Sequence, residues 1–199
     1  MGKDSFFKIL KEDYKVFRLV YTGNPILAFF YNPSFKIVLI FRLSQLFKRY
    51  FLTQFLAYFL TMLNDFLHGV WLPSTVKIGK GLFLGHPRGL IVNSKTVIGD
   101  YCSIIQRVTI GGPNVVIGNN VEITSNVSII GDRNKEETLR IGDNSVIAAG
   151  AVVLKSVSNN TVVGGIPAKV LKVINDDENW ISKRKFEKIN YKNKKAQNF

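Results

Sequence analysis

Aliphatic residues recur every six positions through the middle of the chain, between Val76 and Val170. Glycine follows many of them, as in Ile98-Gly99 and Ile141-Gly142. In chain order, with a two-residue slip after the second member, these positions are Ile78, Leu84, Ile98, Ile104, Ile110, Ile117, Ile123, Ile129, Ile141, Ile147 and Val153. A six-residue period of this kind is typical of a parallel β-helix, because strands so short bury their apolar side chains only when coil stacks on coil. The pattern therefore predicts a mainly β fold, with a β-helix over residues 71–170.

Two departures from the six-residue period predict where loops leave the β-helix. One residue is added between Ile110 and Ile117, around residues 111–114. Six residues are added between Ile129 and Ile141, through residues 131–137. Insertions in a solenoid form loops on one face, which is often the binding face. These two loops are therefore expected to lie near the functional site.

The segment before the repeats has the apolar spacing of helices, and residues 1–70 are predicted to form an N-terminal helical region. A first helix over residues 4–22 is expected to end at Gly23-Asn24-Pro25. A second begins at Asn32-Pro33, because asparagine suits a helix N-cap and proline suits the first helical position, and it runs to about residue 50. This helix is apolar on nearly every side, so it is expected to be buried. A third helix covers about residues 51–67.

The apolar run from Phe51 to Leu63 is too short to cross a membrane. As a helix it would span about 20 Å, at about 1.5 Å per residue, whereas the hydrocarbon core of a bilayer is about 30 Å thick. We expect these aromatic helices to pack against the β-helix and against other subunits. The alternative is that they lie on a membrane surface among basic residues.

Composition narrows the classes of function. The chain has 199 residues, 46% of them apolar, and a formal net charge of +13. This charge suggests anionic partners or a membrane surface, but the basic residues form no nucleic-acid-binding motif, so no nucleic-acid partner is expected. The first residues lack the apolar core of a secretory signal, which predicts a cytoplasmic protein, with peripheral contact at the inner membrane face as a further expectation. The basic tail, residues 171–199, is expected to hold a short helix near residues 176–185 and to fray at its end.

The single cysteine, Cys102, excludes an internal disulfide bond. It occupies an inward-facing position of the repeat, so it is predicted to be a buried thiol with a raised pKa rather than a nucleophile. No group of Asp and His residues has metal-ligand spacing, and no catalytic metal is expected.

One histidine, His86, lies within the repeats. Histidine is the side chain whose ordinary pKa, about 6.5, suits proton transfer near neutral pH. Its spacing alone leaves two interpretations open, a catalytic base and a hydrogen-bonded structural residue.

Several segments around His86 resemble the serine acetyltransferase branch of the hexapeptide-repeat acyltransferases, a branch that also includes O-acetyltransferases of capsule and O-antigen gene clusters. The matching segments are residues 86–93, which begin His86-Pro87-Arg88-Gly89, then 97–99, 104–112 and the Gly165-Ile166-Pro167-Ala168-Lys169 motif. The resemblance covers about half the chain, from Val76 to Val170.

This resemblance implies a left-handed parallel β-helix, a homotrimer with active sites between neighbouring subunits, and acetyl-CoA bound along the groove between them. It also implies that His86 is the general base, which takes the proton of a hydroxyl as that hydroxyl attacks the thioester. Backbone N–H groups would stabilise the oxyanion.

The resemblance also assigns residues to the two ligands. Small residues lining the pantetheine groove correspond to Gly112, Ser125 and Ala149, and a basic residue near the CoA phosphates corresponds to Lys169, although plain β-helix corners and a solvated lysine explain these positions equally well. Acceptor binding is predicted for Arg88, Asn93 and Gln106, which lie in the matching segments, and for Trp71 because of its aromatic side chain. Asn93 and Gln106 have the alternative role of supporting a turn.

Two carboxylates of the serine-specific pattern are missing here. Trp71 stands where those enzymes carry the aspartate that orients the histidine. Gly85 stands where they carry an acidic residue directly before the histidine. The loop after Gly111-Gly112 is cut to Pro113-Asn114. An amino-acid acceptor needs a countercharge for its ammonium group, because an unpaired buried charge is costly.

These departures favour a sugar hydroxyl of a surface polysaccharide, or of its precursor, as the acceptor, with the indole of Trp71 stacked on the sugar. The alternatives are serine O-acetylation in cysteine biosynthesis and a non-catalytic trimeric scaffold.

Overall fold

The computed structural model describes residues 5–21, 23–132 and 137–174. Within them the chain forms helices α1 (Phe6–Val20), α2 (Pro25–Tyr31), α3 (Pro33–Phe47) and α4 (Gln54–His68), with a 3-10 turn over Phe51–Thr53 before the last. The predicted helix near residues 176–185 and the frayed end lie outside the described residues. The division into 1–70, 71–170 and 171–199 stays a prediction.

The helix starts follow the capping residues. The side chain of Ser5 accepts a hydrogen bond from the Lys8 N–H, and the side chain of Asn32 accepts one from the Ser34 N–H, as predicted for the helix that begins at Pro33. Helix α2 was not predicted. Its signal was present, because Asn24-Pro25 repeats the combination found at Asn32-Pro33, and the Asn24 side chain accepts hydrogen bonds from two N–H groups of the first turn.

Strands of two to five residues follow in a repeating order of three. They are β1 (Val70–Trp71), β2 (Lys77–Ile78), β3 (Phe83–Gly85), β4 (Leu90–Val92), β5 (Val97–Ile98), β6 (Ser103–Ile105), β7 (Thr109–Gly111), β8 (Val115–Ile117), β9 (Glu122–Ile123), β10 (Ser128–Ile130), β11 (Leu139–Ile141), β12 (Val146–Ile147), β13 (Val152–Val153), β14 (Thr161–Gly164) and β15 (Lys169–Val173).

Every third strand joins the same parallel sheet. Sheet A has the order β1-β4-β7-β10-β13, sheet B the order β11-β8-β5-β2, and sheet C the order β15-β14-β12-β9-β6-β3, in which β15 alone is antiparallel. The aliphatic residues of the six-residue period point inward and form one buried column, for example Ile104, Ile110 and Ile117. The predicted fold class is therefore confirmed.

Helices α1 and α3 cover the end of the β-helix where β2 and β3 have no preceding coil. The buried Arg42 side chain of α3 donates hydrogen bonds to the Ile78 and Gly79 carbonyls. Gln45 Nε2 donates to the Val76 carbonyl, and Asp13 Oδ1 accepts from the Leu82 N–H. Side chains thus satisfy backbone groups that the first coil leaves unpaired, which is the role of a capping unit in a solenoid.

Helix α4 departs from the expected packing. Its fully buried residues are Ala57, Thr61 and Asn64, which are small or polar, whereas its aromatic side chains and Met62 are exposed. The inner side of α4 packs against β1, and the predicted packing of the aromatic helices against other subunits stays a prediction for the exposed face. Among the described residues, no helix is both long and apolar enough to cross a bilayer.

Candidate active site along sheet A

The irregularities of the repeat all lie at the borders of sheet A. A regular coil takes 18 residues, as from Leu90 to Val108. The first coil has two residues more than a regular coil. The strand register identifies them, because Gly85 pairs with Ile105 whereas Arg88 stands one coil below Gln106. Two residues, His86 and Pro87, are inserted where the regular coil has none. The insertions near residues 111–114 and 131–137 lie at the opposite border, between sheets A and B.

His86 projects from the corner between sheets C and A. Its backbone adopts a positive φ of 49°, and its carbonyl accepts a hydrogen bond of 2.8 Å from the Arg88 N–H. The imidazole is exposed, and within the described ranges no hydrogen bond to this ring is present. The insertion therefore presents the predicted base to solvent, but the single chain does not fix its tautomer.

Four of the predicted site residues form a column at this same corner. Arg88, Gln106, Ser125 and Ala149 occupy equivalent positions of successive coils. The backbone hydrogen bonds show this, because the carbonyl of each of the first three accepts from the N–H of the residue directly after the next member of the column. Arg88 and Ala149 are exposed, whereas Gln106 and Ser125 are half-buried. The structure thus brings together residues predicted to bind acceptor and cofactor beside His86.

Basic side chains gather near this corner. Arg88 and Arg107 are both exposed there, and the Arg88 carbonyl accepts a hydrogen bond from the Arg107 N–H. Burial lowers the pKa of His68, at the end of α4, and the charges of Lys36 and Arg88 lower it further. A local positive potential of this kind attracts anionic ligands such as phosphates.

Three other predicted residues line a separate groove at the opposite border of sheet A. The groove has a volume of about 830 Å³ and runs between α4 and the turns from sheet A to sheet B. Trp71, Asn93 and Gly112 lie in its wall, whereas His86 does not. The strands between the two borders are at most three residues long, so the borders are about 10 Å apart.

The two predicted amide residues, Asn93 and Gln106, differ in their hydrogen bonding. Asn93 Oδ1 accepts a 2.9 Å hydrogen bond from the Lys95 N–H, so this side chain supports the turn, which is the alternative role set out above. The Oε1 atom of Gln106 is buried and has no hydrogen-bond partner among the described residues.

The stacking of the coils explains why position 112 is a glycine. Its φ is +89°, and a Cβ atom there would collide with the Gly131 backbone of the next coil. Only glycine fits this stacking. The absence of a side chain is therefore explained without a cofactor, although the position does line the groove.

Lys169 lies apart from the other predicted residues. It is exposed at the start of β15, on the far end of sheet C, and follows the cis peptide bond between Ile166 and Pro167. The structure does not bring it near His86 within one chain.

Cys102 lies in the core as predicted. Burial raises the pKa of its thiol to about 12, and Sγ is 3.1 Å from the Gly118 carbonyl. A thiol in this state is a core residue and not a nucleophile.

Sequence reasoning missed the part of the groove that α4 supplies. Tyr58, Thr61 and Met62 line it from above sheet A. The sequence held one signal for this wall, because Thr61 is a polar residue in an apolar stretch. In the structure its hydroxyl donates a hydrogen bond to the Ala57 carbonyl.

No protein-family model matches the chain. Among curated proteins, it is 33% identical over 119 residues to the serine acetyltransferase of Synechococcus elongatus, covering 56% of this chain and 46% of that protein. It is 31% identical over 147 residues to the serine acetyltransferase of Helicobacter pylori, covering 70% of this chain and 81% of that protein. The chain spans about half the length of the Synechococcus elongatus relative and of a serine acetyltransferase from Staphylococcus epidermidis.

Solved structures give the same picture. Serine acetyltransferase from Brucella abortus superposes with a TM-score of 0.74 at 28% identity, over 85% of this chain and 70% of that one. The same enzyme in complex with coenzyme A gives 0.73 at 27% identity, over 85% and 69%. Serine acetyltransferase from Neisseria gonorrhoeae in complex with serine gives 0.71 at 29% identity, over 84% and 69%.

These comparisons correct the predicted acceptor. The similar proteins are serine acetyltransferases and not polysaccharide O-acetyltransferases of the capsule or O-antigen type, so the prediction of a sugar acceptor is wrong. They support the serine alternative instead.

Proposed function

Because this chain belongs to the serine acetyltransferase family of hexapeptide-repeat proteins, we propose that it transfers the acetyl group of acetyl-CoA to the hydroxyl of L-serine. The observation that carries the proposal is the similarity to the Helicobacter pylori enzyme, which extends over 81% of that protein. The coenzyme A complex of the Brucella abortus enzyme supports acetyl-CoA as the co-substrate.

His86 is the general base in this proposal. The imidazole accepts the serine hydroxyl proton as the hydroxyl oxygen attacks the thioester carbonyl, and a tetrahedral oxyanion forms. When the intermediate collapses, the carbon–sulfur bond breaks and the imidazolium returns its proton to the CoA sulfur. The products are O-acetylserine and CoA, and no covalent enzyme intermediate forms. The buried, protonated thiol of Cys102 is consistent with that scheme.

The basic corner around Arg88 and Arg107 is suited to an anionic group of either ligand. We assign pantetheine contact to Gly112, Ser125 and Ala149, and phosphate contact to Lys169. Arg88 is suited to the serine carboxylate, because a guanidinium can bind a carboxylate through two hydrogen bonds. Asn93 and Gln106 complete the acceptor side.

A homotrimer completes the site. Within one chain, the His86 corner and the groove of Trp71 and Gly112 lie at opposite borders of sheet A. If neighbouring subunits pack around a common axis, the corner of one faces the groove of the next. The exposed His86 ring then gains its orienting partner from the neighbour.

Trp71 takes over the position where the resemblance places an aspartate. Its indole is 42% exposed in the groove wall. The face of an indole attracts a cation, so it is suited to the serine ammonium group without a carboxylate. The missing carboxylates, taken above as a sign of a sugar acceptor, are thus compatible with an amino acid.

The test is release of the CoA thiol from acetyl-CoA with L-serine, compared with L-threonine, L-homoserine and simple sugars. Wild type is expected to turn over L-serine, and His86→Ala is expected to lose about 10²–10⁴-fold in kcat. The matched control is His68→Ala, which changes the other histidine of the chain. Turnover with a different acceptor and none with serine contradicts the substrate. Absence of both CoA binding by calorimetry and turnover indicates the non-catalytic scaffold.

A further inference from the structure

Helix α4 exposes a large apolar face to solvent, whereas an ordinary surface helix turns its apolar face toward the core. The fully buried residues of α4 are small or polar, namely Ala57, Thr61 and Asn64, whereas Leu56, Leu60 and Leu63 are half-buried. The outward face has large apolar side chains at intervals of three and four residues, and Phe66 is 87% exposed. This outward face consists of Phe55, Phe59 and Phe66, with Tyr58 and Met62 at its border with the groove.

The exposed apolar surface continues beyond α4. Phe51 and Leu52 extend it from the preceding turn, and Phe51 is 85% exposed. Helix α2 adds a second group, Ile26, Leu27, Phe30 and Tyr31. Exposed groups of large apolar side chains of this kind mark an interaction site.

Basic side chains lie at both ends of α4. At its start, Lys48 Nζ is 4.8 Å from the centre of the Tyr58 ring and Arg49 is exposed. At its end, the charges of Lys36 and Arg88 act on His68. Lys36 Nζ also donates to the Phe30 carbonyl, which brings this charge beside the apolar residues of α2. Between residues 25 and 68 the only carboxylate is Asp65.

This charge arrangement distinguishes between two occupants of the apolar face. In a second copy of the chain, either direction of pairing would set one basic end against another, and like charges facing each other oppose association. Anionic lipid headgroups have the complementary charge. A helix with a broad apolar face flanked by Lys and Arg lies in the interfacial plane of a bilayer, with its apolar side chains among the acyl chains.

We propose that the outward face of α4, with Phe51, Leu52 and the apolar residues of α2, binds the surface of a bilayer that contains anionic phospholipids. The apolar side chains enter the interface, and Lys36, Lys48 and Arg49 contact the headgroups. This proposal is independent of the acetyl acceptor.

The experiment is co-sedimentation of the full chain with vesicles. Wild type is expected to sediment with vesicles of phosphatidylglycerol and phosphatidylcholine, to bind pure phosphatidylcholine less, and to be released in part by high salt. Phe59→Gln/Phe66→Gln removes two exposed rings and keeps good helix formers, so it is expected to lower the partition coefficient about tenfold or more. The matched control is Leu154→Gln/Val173→Gln, two exposed apolar residues of the β-helix, which should bind as wild type does.

A second pair of variants tests the charges. Lys48→Gln/Arg49→Gln is expected to weaken binding to anionic vesicles about thirtyfold, since each of the two basic residues near such a surface contributes about 1 kcal/mol. Lys155→Gln/Lys172→Gln removes the same charge from the far end of the β-helix and should have little effect. Equal loss in both charge pairs, or no loss in the double phenylalanine variant, overturns the proposal. So does a wild-type protein that ignores vesicles and self-associates through Phe59 and Phe66, measured as molar mass by light scattering.

Discussion

Asp13 of α1 and Arg42 of α3 form an ion pair at the point where both helices meet the first coil, with Nε and Oδ2 2.8 Å apart. Both side chains are excluded from solvent. Each partner also bonds the β-helix backbone, Arg42 through the Ile78 and Gly79 carbonyls and Asp13 through the Leu82 N–H. The pair therefore joins the helical region to the coil that carries His86.

Removing one partner of this pair is expected to be costly. Asp13→Ala leaves the Arg42 guanidinium buried without its countercharge, and we expect the free energy of unfolding to fall by about 3–5 kcal/mol. Chemical denaturation followed by circular dichroism measures the change. Lys15→Ala is the control, because it removes the more exposed partner of the Glu12–Lys15 pair and exposed pairs contribute about 1 kcal/mol or less. Equal losses in the two variants would show that burial does not govern the cost.

Gly112 and Gly150 allow conformational strain to be separated from a collision. Both have a positive φ, +89° and +73°, but only Gly112 has a backbone in the way of a Cβ atom. Gly150→Ala is expected to cost about 1–2 kcal/mol from the left-handed conformation alone. Gly112→Ala should cost about 1–3 kcal/mol more, because Gly131 must move. Thermal unfolding compares them, and equal costs would contradict the close stacking.

The Cys102 thiol predicts a dependence of stability on pH. Its pKa is raised by burial from 9.0 to about 12, so the folded chain keeps a proton that the unfolded chain releases above pH 9.0. Stability is therefore lost as pH rises from about 9 toward 12, by up to about 1.4 kcal/mol per pH unit. The advantage of wild type over Cys102→Ala in denaturation experiments should shrink over this range. Alkylation of Cys102 should be slow in the native protein and fast in denaturant, and rapid native labelling would contradict its burial.

Trp71 is expected to act on serine binding through its ring face. Trp71→Ala should raise the KM for L-serine about tenfold, and Trp71→Phe should raise it less, because a phenyl ring keeps a weaker attraction for the ammonium group. Ile91→Ala is the control, since Ile91 pairs with Trp71 on the same sheet and also lines the groove, but has no ring. If Ile91→Ala raises the KM as much, the effect is general packing and the cation–π role is wrong.

The six-residue period predicted the β-helix because each strand repeats the same pairing and the same inward side chain. It also showed the two-residue slip, but not that His86 and Pro87 are the inserted pair, since that depends on the register between Gly85 and Ile105. Helix α2 was missed although Asn24-Pro25 signals a helix start.

The groove wall of α4 depends on tertiary packing, which periodicity along one helix does not give. The acceptor was predicted wrongly because it was argued from absent carboxylates at Trp71 and Gly85. An absent group does not say which group replaced it.

Capping by α1 and α3 gives the β-helix two unequal ends. In a stacked array, each coil is held by its neighbours, so unfolding spreads most easily from the end with the fewest bonds. The first coil is tied to two helices through Asp13, Arg42 and Gln45, whereas the last strand, β15, is exposed along its whole length. The rate of amide hydrogen exchange should therefore be lowest around β2 and β3 and should increase toward β15. The coil that holds His86 would be the last to open, which keeps the proposed catalytic corner intact while the β15 end of the β-helix opens first.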